Sequence, residues 1–151
     1  MNWVLDSNIL VKLVLTEPGS HQARQTVTRT VKQGSLLYTV DLALAESLNA
    51  LWKHVNIHED LTPEEGHSAA QDLKEIYSKL NILTTQELCK AALNLALTHK
   101  ITIYDSLYLT ATQKLNSTLY TADRKLHTAS KNTVPSKLLK TKPQTNKEKT
   151  R

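Results

Sequence analysis

Apolar residues along this chain come in short runs, separated by longer stretches with helical periodicity. Trp3-Val4-Leu5 has the length and composition of a strand, and Ser7–Leu15 reads as a helix interrupted by Glu17-Pro18-Gly19. Ser20 is placed to cap a second helix and Gly34 to stop it. Ser35–Val40 predicts a second strand, after which Asp41 is placed to cap a helix, dense in Leu and Ala, running to about Val55. Thr62-Pro63-Glu64-Glu65 joins a capping threonine, a proline at the first helical position and a glutamate three residues beyond the cap, and this helix is predicted to reach about Leu80. Thr84 with Glu87 repeats the box and opens a helix to about His99. Ile101–Tyr104 is an apolar run leading into a helix from about Asp105 to Lys114, Thr118–Thr121 is the last clear strand, and Arg124–Ser130 a short final helix. Strands separated by helices of this length need crossover connections, so the sheet is expected to be parallel and covered on both faces. The fold class is three-layer α/β, with a central parallel sheet of four to five strands. A fifth strand has only Thr133-Val134, before Pro135, to draw on.

Length and charge refine this picture. At 151 residues the chain is expected to be one domain, burying roughly 70 % of its unfolded surface. No apolar run approaches the ~18 residues of a membrane span, and the first residues lack the charged start of a signal peptide. Cys89 is the sole cysteine, which excludes an internal disulfide and favours a cytoplasmic setting. Flanked by Leu88, Ala91 and Ala92, it is expected to act as a small buried hydrophobe. The formal charge of +5 is unevenly spread: residues 1–136 hold 13 basic and 13 acidic side chains, and residues 137–151 hold six basic and one acidic. A domain over 1–136 followed by a mobile basic tail over 137–151 is the expected organisation, the tail either attracting phosphate or serving as a soluble terminus.

The candidate chemistry lies in four acids. Asp6 ends the first apolar run, Asp123 follows the last, Asp105 stands after Ile101–Tyr104, and Glu46 sits inside the apolar stretch Leu42–Leu48. A carboxylate held against low-dielectric walls must be paired, protonated or bound to a metal. In an open α/β sheet, groups at the carboxyl ends of strands share one crevice, so Asp6 and Asp123 are expected on the same edge. Taken singly, each has a plainer role: Asp6, Asp105 and Asp123 as helix caps and Glu46 as a solvated helix position.

Taken together, they carry a resemblance. Val4-Leu5-Asp6-Ser7-Asn8-Ile9-Leu10, Ala45-Glu46-Ser47-Leu48-Asn49-Ala50-Leu51, Ile103-Tyr104-Asp105-Ser106-Leu107-Tyr108-Leu109 and Tyr120-Thr121-Ala122-Asp123-Arg124-Lys125-Leu126 resemble, in order and spacing, the motifs of PIN-domain ribonucleases, especially VapC-like toxins of toxin–antitoxin pairs. The likeness spans residues 1 to about 130. It implies that Asp6, Glu46, Asp105 and Asp123 hold Mg²⁺ or Mn²⁺, hard ions suited to carboxylate oxygen. It further implies RNA hydrolysis leaving a 5′-phosphate and a 3′-hydroxyl. Asp6 and Asp105 are then the principal ligands, with Glu46 and Asp123 acting through water. Ser7, Asn8 and Thr121 become candidates to orient carboxylates, and Arg124 to meet substrate phosphate or pair with Asp123. A homodimer and a cognate antitoxin are the implied partners. An RNA-processing nuclease and a non-catalytic RNA-binding or assembly module are the alternatives.

Other signals are weaker. His54 and His58 have the spacing of a zinc pair, but no cysteine or acid stands in motif with them. Three glycines, at 19, 34 and 66, build neither a phosphate-cradling loop nor a nucleophile elbow. Tyr104, Tyr108 and Tyr120 are expected in the core or at the rim of the site. Phosphatases of the haloacid dehalogenase type need a second Asp where Asn8 stands, and receiver domains need a lysine where Asp123 ends the last strand.

Overall fold

The computed structural model describes residues 1–141. The elements run β1 (Trp3–Leu5), α1 (Ser7–Val14), α2 (Ser20–Lys32), β2 (Leu37–Val40), α3 (Leu42–Asn56), α4 (Pro63–Lys79), β3 (Asn81–Leu83), α5 (Thr85–His99), α6 (Ile103–Lys114), β4 (Thr118–Thr121), α7 (Arg124–Ser130) and β5 (Ser136–Leu138). The five strands form one sheet in the order β3-β2-β1-β4-β5, every neighbouring pair parallel. The helices complete the expected three-layer α/β architecture.

The strands are short, and the central ones are apolar on both sides because both faces are covered. Val4, Leu5, Val40, Leu119 and Tyr120 are all at most 1 % exposed. Each such side chain contributes roughly 1.5–3 kcal/mol by leaving water, so β1 and β4 form the stable centre on which the site is mounted. α6 packs across β1, β2 and β4, while α7 lies against β4 and β5.

Connection order decides where a crevice opens. From β1 the chain steps outward to β2 and then β3, and α5 and α6 then return it past β1 to β4. The connections leaving β1 and β4 therefore diverge, which makes their carboxyl ends the switch point of the sheet.

Several local expectations hold. Thr62 accepts the Glu65 N–H at 3.1 Å and Thr84 the Glu87 N–H at 3.1 Å. Gly34, at φ +82°, ends α2, with its N–H on Val31 and that of Ser35 on Thr30.

Others are corrected. Asn81–Leu83 forms β3 although its three residues are too few to show an alternating pattern. The fifth strand is Ser136–Leu138, after Pro135 and not before it. It crosses the boundary drawn at residue 136, and Leu139 beyond it is buried. The remainder of the expected mobile tail, residues 142–151, lies outside the described residues. Ser20 does not cap α2. Gly19 occupies that position at φ +91°, while the Ser20 hydroxyl donates to the Leu15 carbonyl at 2.7 Å and accepts the Glu17 N–H at 3.0 Å, closing the α1–α2 loop. Cys89 is exposed: the inner face of α5 is Leu88, Ala92 and Ala96, and Cys89 stands about 100° round from it.

Candidate active site

Asp6 leaves β1 with its backbone N–H on the Tyr120 carbonyl, as the next rung of the β1–β4 ladder, and turns directly into α1. Its carboxylate is 5 % exposed and receives four donors. Oδ1 accepts the Ser7 N–H at 2.7 Å and, more weakly, the Ser7 hydroxyl at 3.4 Å. Oδ2 accepts the Asn8 side-chain amide at 3.0 Å and the Thr121 hydroxyl at 2.7 Å. Asp6 is thus a helix cap and a held carboxylate at once, and the two readings do not compete.

Thr121 and Asn8 join the two strand ends. The fully buried Thr121 hydroxyl donates to Asp6 and accepts the Asp123 N–H at 2.9 Å. Asn8 donates to Asp6 through its amide and accepts the Ala122 N–H on its carbonyl at 3.0 Å. Asp123 caps α7, its Oδ1 accepting Lys125 N–H at 2.8 Å and Leu126 N–H at 3.4 Å. Ser7, Asn8 and Thr121 therefore all hydrogen-bond the Asp6 carboxylate.

The other two acids come from flanking helices. Glu46, half-buried on α3, accepts the Tyr108 hydroxyl at 2.7 Å. Tyr108 is 2 % exposed on α6, three residues after Asp105 and on the same helical face. This anchoring role of Tyr108 escaped the sequence reading, although the Asp105 to Tyr108 spacing carried the signal. Tyr120 is likewise core, whereas Tyr104 is exposed. Asp105 does not cap α6: Thr102 does, accepting the Asp105 N–H at 3.2 Å, so Asp105 stands on the first turn with its carboxylate released from capping.

Electrostatics tie the four together. Burial pushes Asp6 up to about 6, with Glu46 and Asp123 pushing the same way and its hydrogen bonds to Thr121 and Ser7 opposing. Glu46 is raised by burial and by Asp105, against the Tyr108 and Ser7 hydroxyls. Asp105 is raised by burial and by Asp123, with Lys125 opposing. Asp6 thus feels the charge of Glu46 and Asp123, Glu46 that of Asp105, and Asp105 that of Asp123. Among the described residues, none of the four has an ion pair.

This donor set fits a hard divalent cation in chemistry: all oxygen, excess negative charge, and, among the described residues, no ion pair to any of the four, Lys125 acting on Asp105 only from a distance. Among the described residues no three carboxylate, imidazole or thiol groups are gathered closely enough to enclose an ion.

The remaining candidates fall outside this crevice. Arg124 is exposed and, among the described residues, is not paired with Asp123. His54 is engaged on both ring nitrogens, Nδ1 with Asp60 at 2.8 Å and Nε2 with Glu17 at 3.2 Å, and its ring meets His58 edge-on at 5.4 Å. That arrangement braces the α1–α2 loop against the end of α3. No described helix is long and apolar enough to cross a membrane.

Comparison with known proteins agrees with this fold. The family model described as PIN domain matches residues 3–132. The chain is 35 % identical over 126 residues to "Ribonuclease VapC3" of Pyrobaculum aerophilum, covering 83 % of this chain and 92 % of that protein. In fold it is similar to VapBC2 of Rickettsia felis bound to a promoter DNA fragment (TM-score 0.65, 19 % identity, 93 % of this chain and 100 % of that one). It is also similar to Mycobacterium tuberculosis VapC20, a sarcin-ricin loop cleaving toxin (TM-score 0.60, 16 % identity, 84 % of this chain and 94 % of that one).

Proposed function

The chain belongs to the PIN-domain family, and from that premise we propose that it is a divalent-metal-dependent endoribonuclease, the toxin of a toxin–antitoxin pair. The observation that carries the reading is the Asp6 carboxylate, buried at the switch point, held by four donors and, among the described residues, ion-paired to no basic side chain. Such a group is a poor structural choice, since the desolvation that raises it also costs stability in the charged form. It is a good choice where a cation and a phosphate must meet.

Asp6 and Asp105 are assigned as the principal ligands of Mg²⁺ or Mn²⁺, with Glu46 and Asp123 acting through water. When bound, such an ion offsets phosphate charge and acidifies an attacking water. The protein's own part is positional. Thr121, Asn8 and Ser7 fix the Asp6 carboxylate, and Tyr108 fixes Glu46 by donating to one oxygen. Glu46, raised by burial and by Asp105, is suited to accept a proton from the attacking water. Thr121 couples the Asp6 carboxylate to the backbone of Asp123 and so ties the two strand ends together.

The 35 % identity to a protein named as a ribonuclease supports RNA as the substrate. A cognate antitoxin in the cytoplasm and a homodimer complete the proposal. Exposed Trp52, Leu97 and Tyr104 provide apolar surface that assembly would bury. The test is cleavage of a mixed structured RNA pool by purified protein with Mg²⁺, Mn²⁺ or EDTA. Cutting that needs the ion and disappears in folded Asp6→Asn and Asp105→Asn variants is expected. RNA retained but never cut in any metal would replace the enzyme with a binding module.

A further inference from the structure

Beside the acidic crevice lies a second recess of about 460 Å³, lined by Lys12, Ala122, Arg124, Leu139, Lys140 and Thr141 among others. Its position follows from chain geometry. Ala122 and Arg124 flank Asp123, so this recess adjoins the β4–α7 turn that carries the fourth acid. Its far wall is the segment after β5, anchored by the Leu139 N–H on the Thr121 carbonyl at 2.7 Å. Gly19 lets that segment lie close: a Cβ there would stand 2.9 Å from Leu139 and 3.1 Å from Thr141, and its φ of +91° disfavours any side chain. The wall is therefore built by tight packing and is not a loose terminus.

The lining is cationic. Lys12 is neutralised by Glu17 at 2.9 Å, but Arg124 and Lys140 have no ion pair among the described residues, and both are exposed. Arg124 and Lys140 line one recess, which no acid lines, beside the turn that carries Asp123: the crevice holds negative charge and the recess positive. We infer that this recess is a phosphate subsite, in which Arg124 and Lys140 grip a backbone phosphate of the RNA strand flanking the one cut in the acidic crevice. The inference rests on the ribonuclease reading for its ligand and on the recess alone for its chemistry. Its volume is in the range of small-molecule sites and exceeds the needs of a lone phosphate. An arginine fork and a lysine point charge are complementary donors to a phosphodiester.

The test is salt dependence. A labelled single-stranded RNA is titrated onto the Asp105→Asn protein, which blocks turnover, with Mg²⁺ present and KCl varied. Each phosphate neutralised on a single strand contributes about 0.7 to the slope of log K against log salt. Arg124→Ala with Lys140→Ala should lower that slope by about 0.7, whereas removing equal charge from the outer face of α2 by Arg29→Ala with Lys32→Ala should change it far less. An equal fall in both pairs, or no fall in the first, overturns the subsite. Inorganic phosphate separates this outcome from failure of the ribonuclease reading. If wild-type protein binds no RNA, yet millimolar phosphate shifts the amide resonances of Ala122, Arg124 and Lys140, the subsite stands and the RNA reading falls. Silence to both removes the subsite.

Discussion

Asp6 and Asp41 make an instructive pair. Each follows a parallel strand on the same edge of the sheet and stands at the start of a helix. Asp41 was expected to cap α3, yet its backbone is already helical and its side chain makes no bond to that helix. Its carboxylate instead takes the Thr85 N–H at 2.9 Å and the Thr85 hydroxyl at 2.6 Å, fastening β2 to the start of α5. Asp6, one strand away, receives more donors and is nevertheless driven up to about 6. Neighbouring strand order explains the difference. Between β2 and β3 the connections run onward and bring a helix start to meet the acid. Between β1 and β4 they part and leave the acid facing other acids. A carboxylate after a strand thus becomes structural or chemical according to what the topology puts opposite it.

The largest expected effect separates these two residues directly. Asp6→Asn should lower RNA cleavage by about 10²–10³-fold, the equivalent of roughly 3–4 kcal/mol of lost transition-state stabilisation. Asp41→Asn should leave turnover within a few-fold, and an equal loss there would dissolve the contrast. Stability against pH comes next. Asp6 has a folded pKa above its unfolded value, so the folded state binds more protons over the interval from about 4 to 6, and stability falls as pH rises through that window. The penalty is absent below about 4 and reaches about 3 kcal/mol above 6 in metal-free protein. Urea unfolding of wild type and Asp6→Asn should therefore show a stability difference that shifts in favour of the variant across that interval. A pH-independent difference would mean that Asp6 is not carrying an unneutralised charge.

Metal should reverse that penalty. At a hundredfold excess over Kd, Mn²⁺ should stabilise the wild type by about 2.7 kcal/mol, and so should it stabilise Asp41→Asn. Asp6→Asn and Asp105→Asn should lose most of the gain, as read from the shift in Tm. Equal gains in all four proteins would place the ion elsewhere. Thr121→Val is subtler, because it removes a donor to Asp6 and an acceptor for the Asp123 N–H while keeping shape. Metal affinity or activity should drop about 10–100-fold, to be read by metal titration. Smallest is the stability cost of Asp41→Asn, about 1–2 kcal/mol from weakening the charge-assisted hydrogen bonds from Thr85. A denaturation midpoint matching wild type would show that the Thr85 contacts add nothing.

The candidate site was legible to the extent that its signals were local. An acid closing an apolar run, as at Asp6 and Asp123, shows in three or four residues, and the caps Thr62 and Thr84 show in four. β3 was not legible because three residues between two helix signals carry no period, and their partner β2 lies more than forty positions away. β5 was masked by Pro135 and by a lysine-rich composition; its place comes only from pairing with β4, and that of Leu139 and Thr141 beyond it from packing on Gly19. Cys89 was misplaced since its apolar neighbours in sequence are not all its neighbours in space.

By itself the sequence determined three of the five strands, the helices between them, the parallel sheet and the positions of the four acids along the chain, because periodicity, capping and turn chemistry act over a few residues. Only the tertiary structure decided that Asp41 fastens a helix while Asp6 faces Glu46 and Asp123, that Tyr108 holds Glu46, and that Arg124 shares a recess with Lys140. Those outcomes depend on which strands become neighbours, and strand order is set by packing the whole apolar surface at once, not by any one segment.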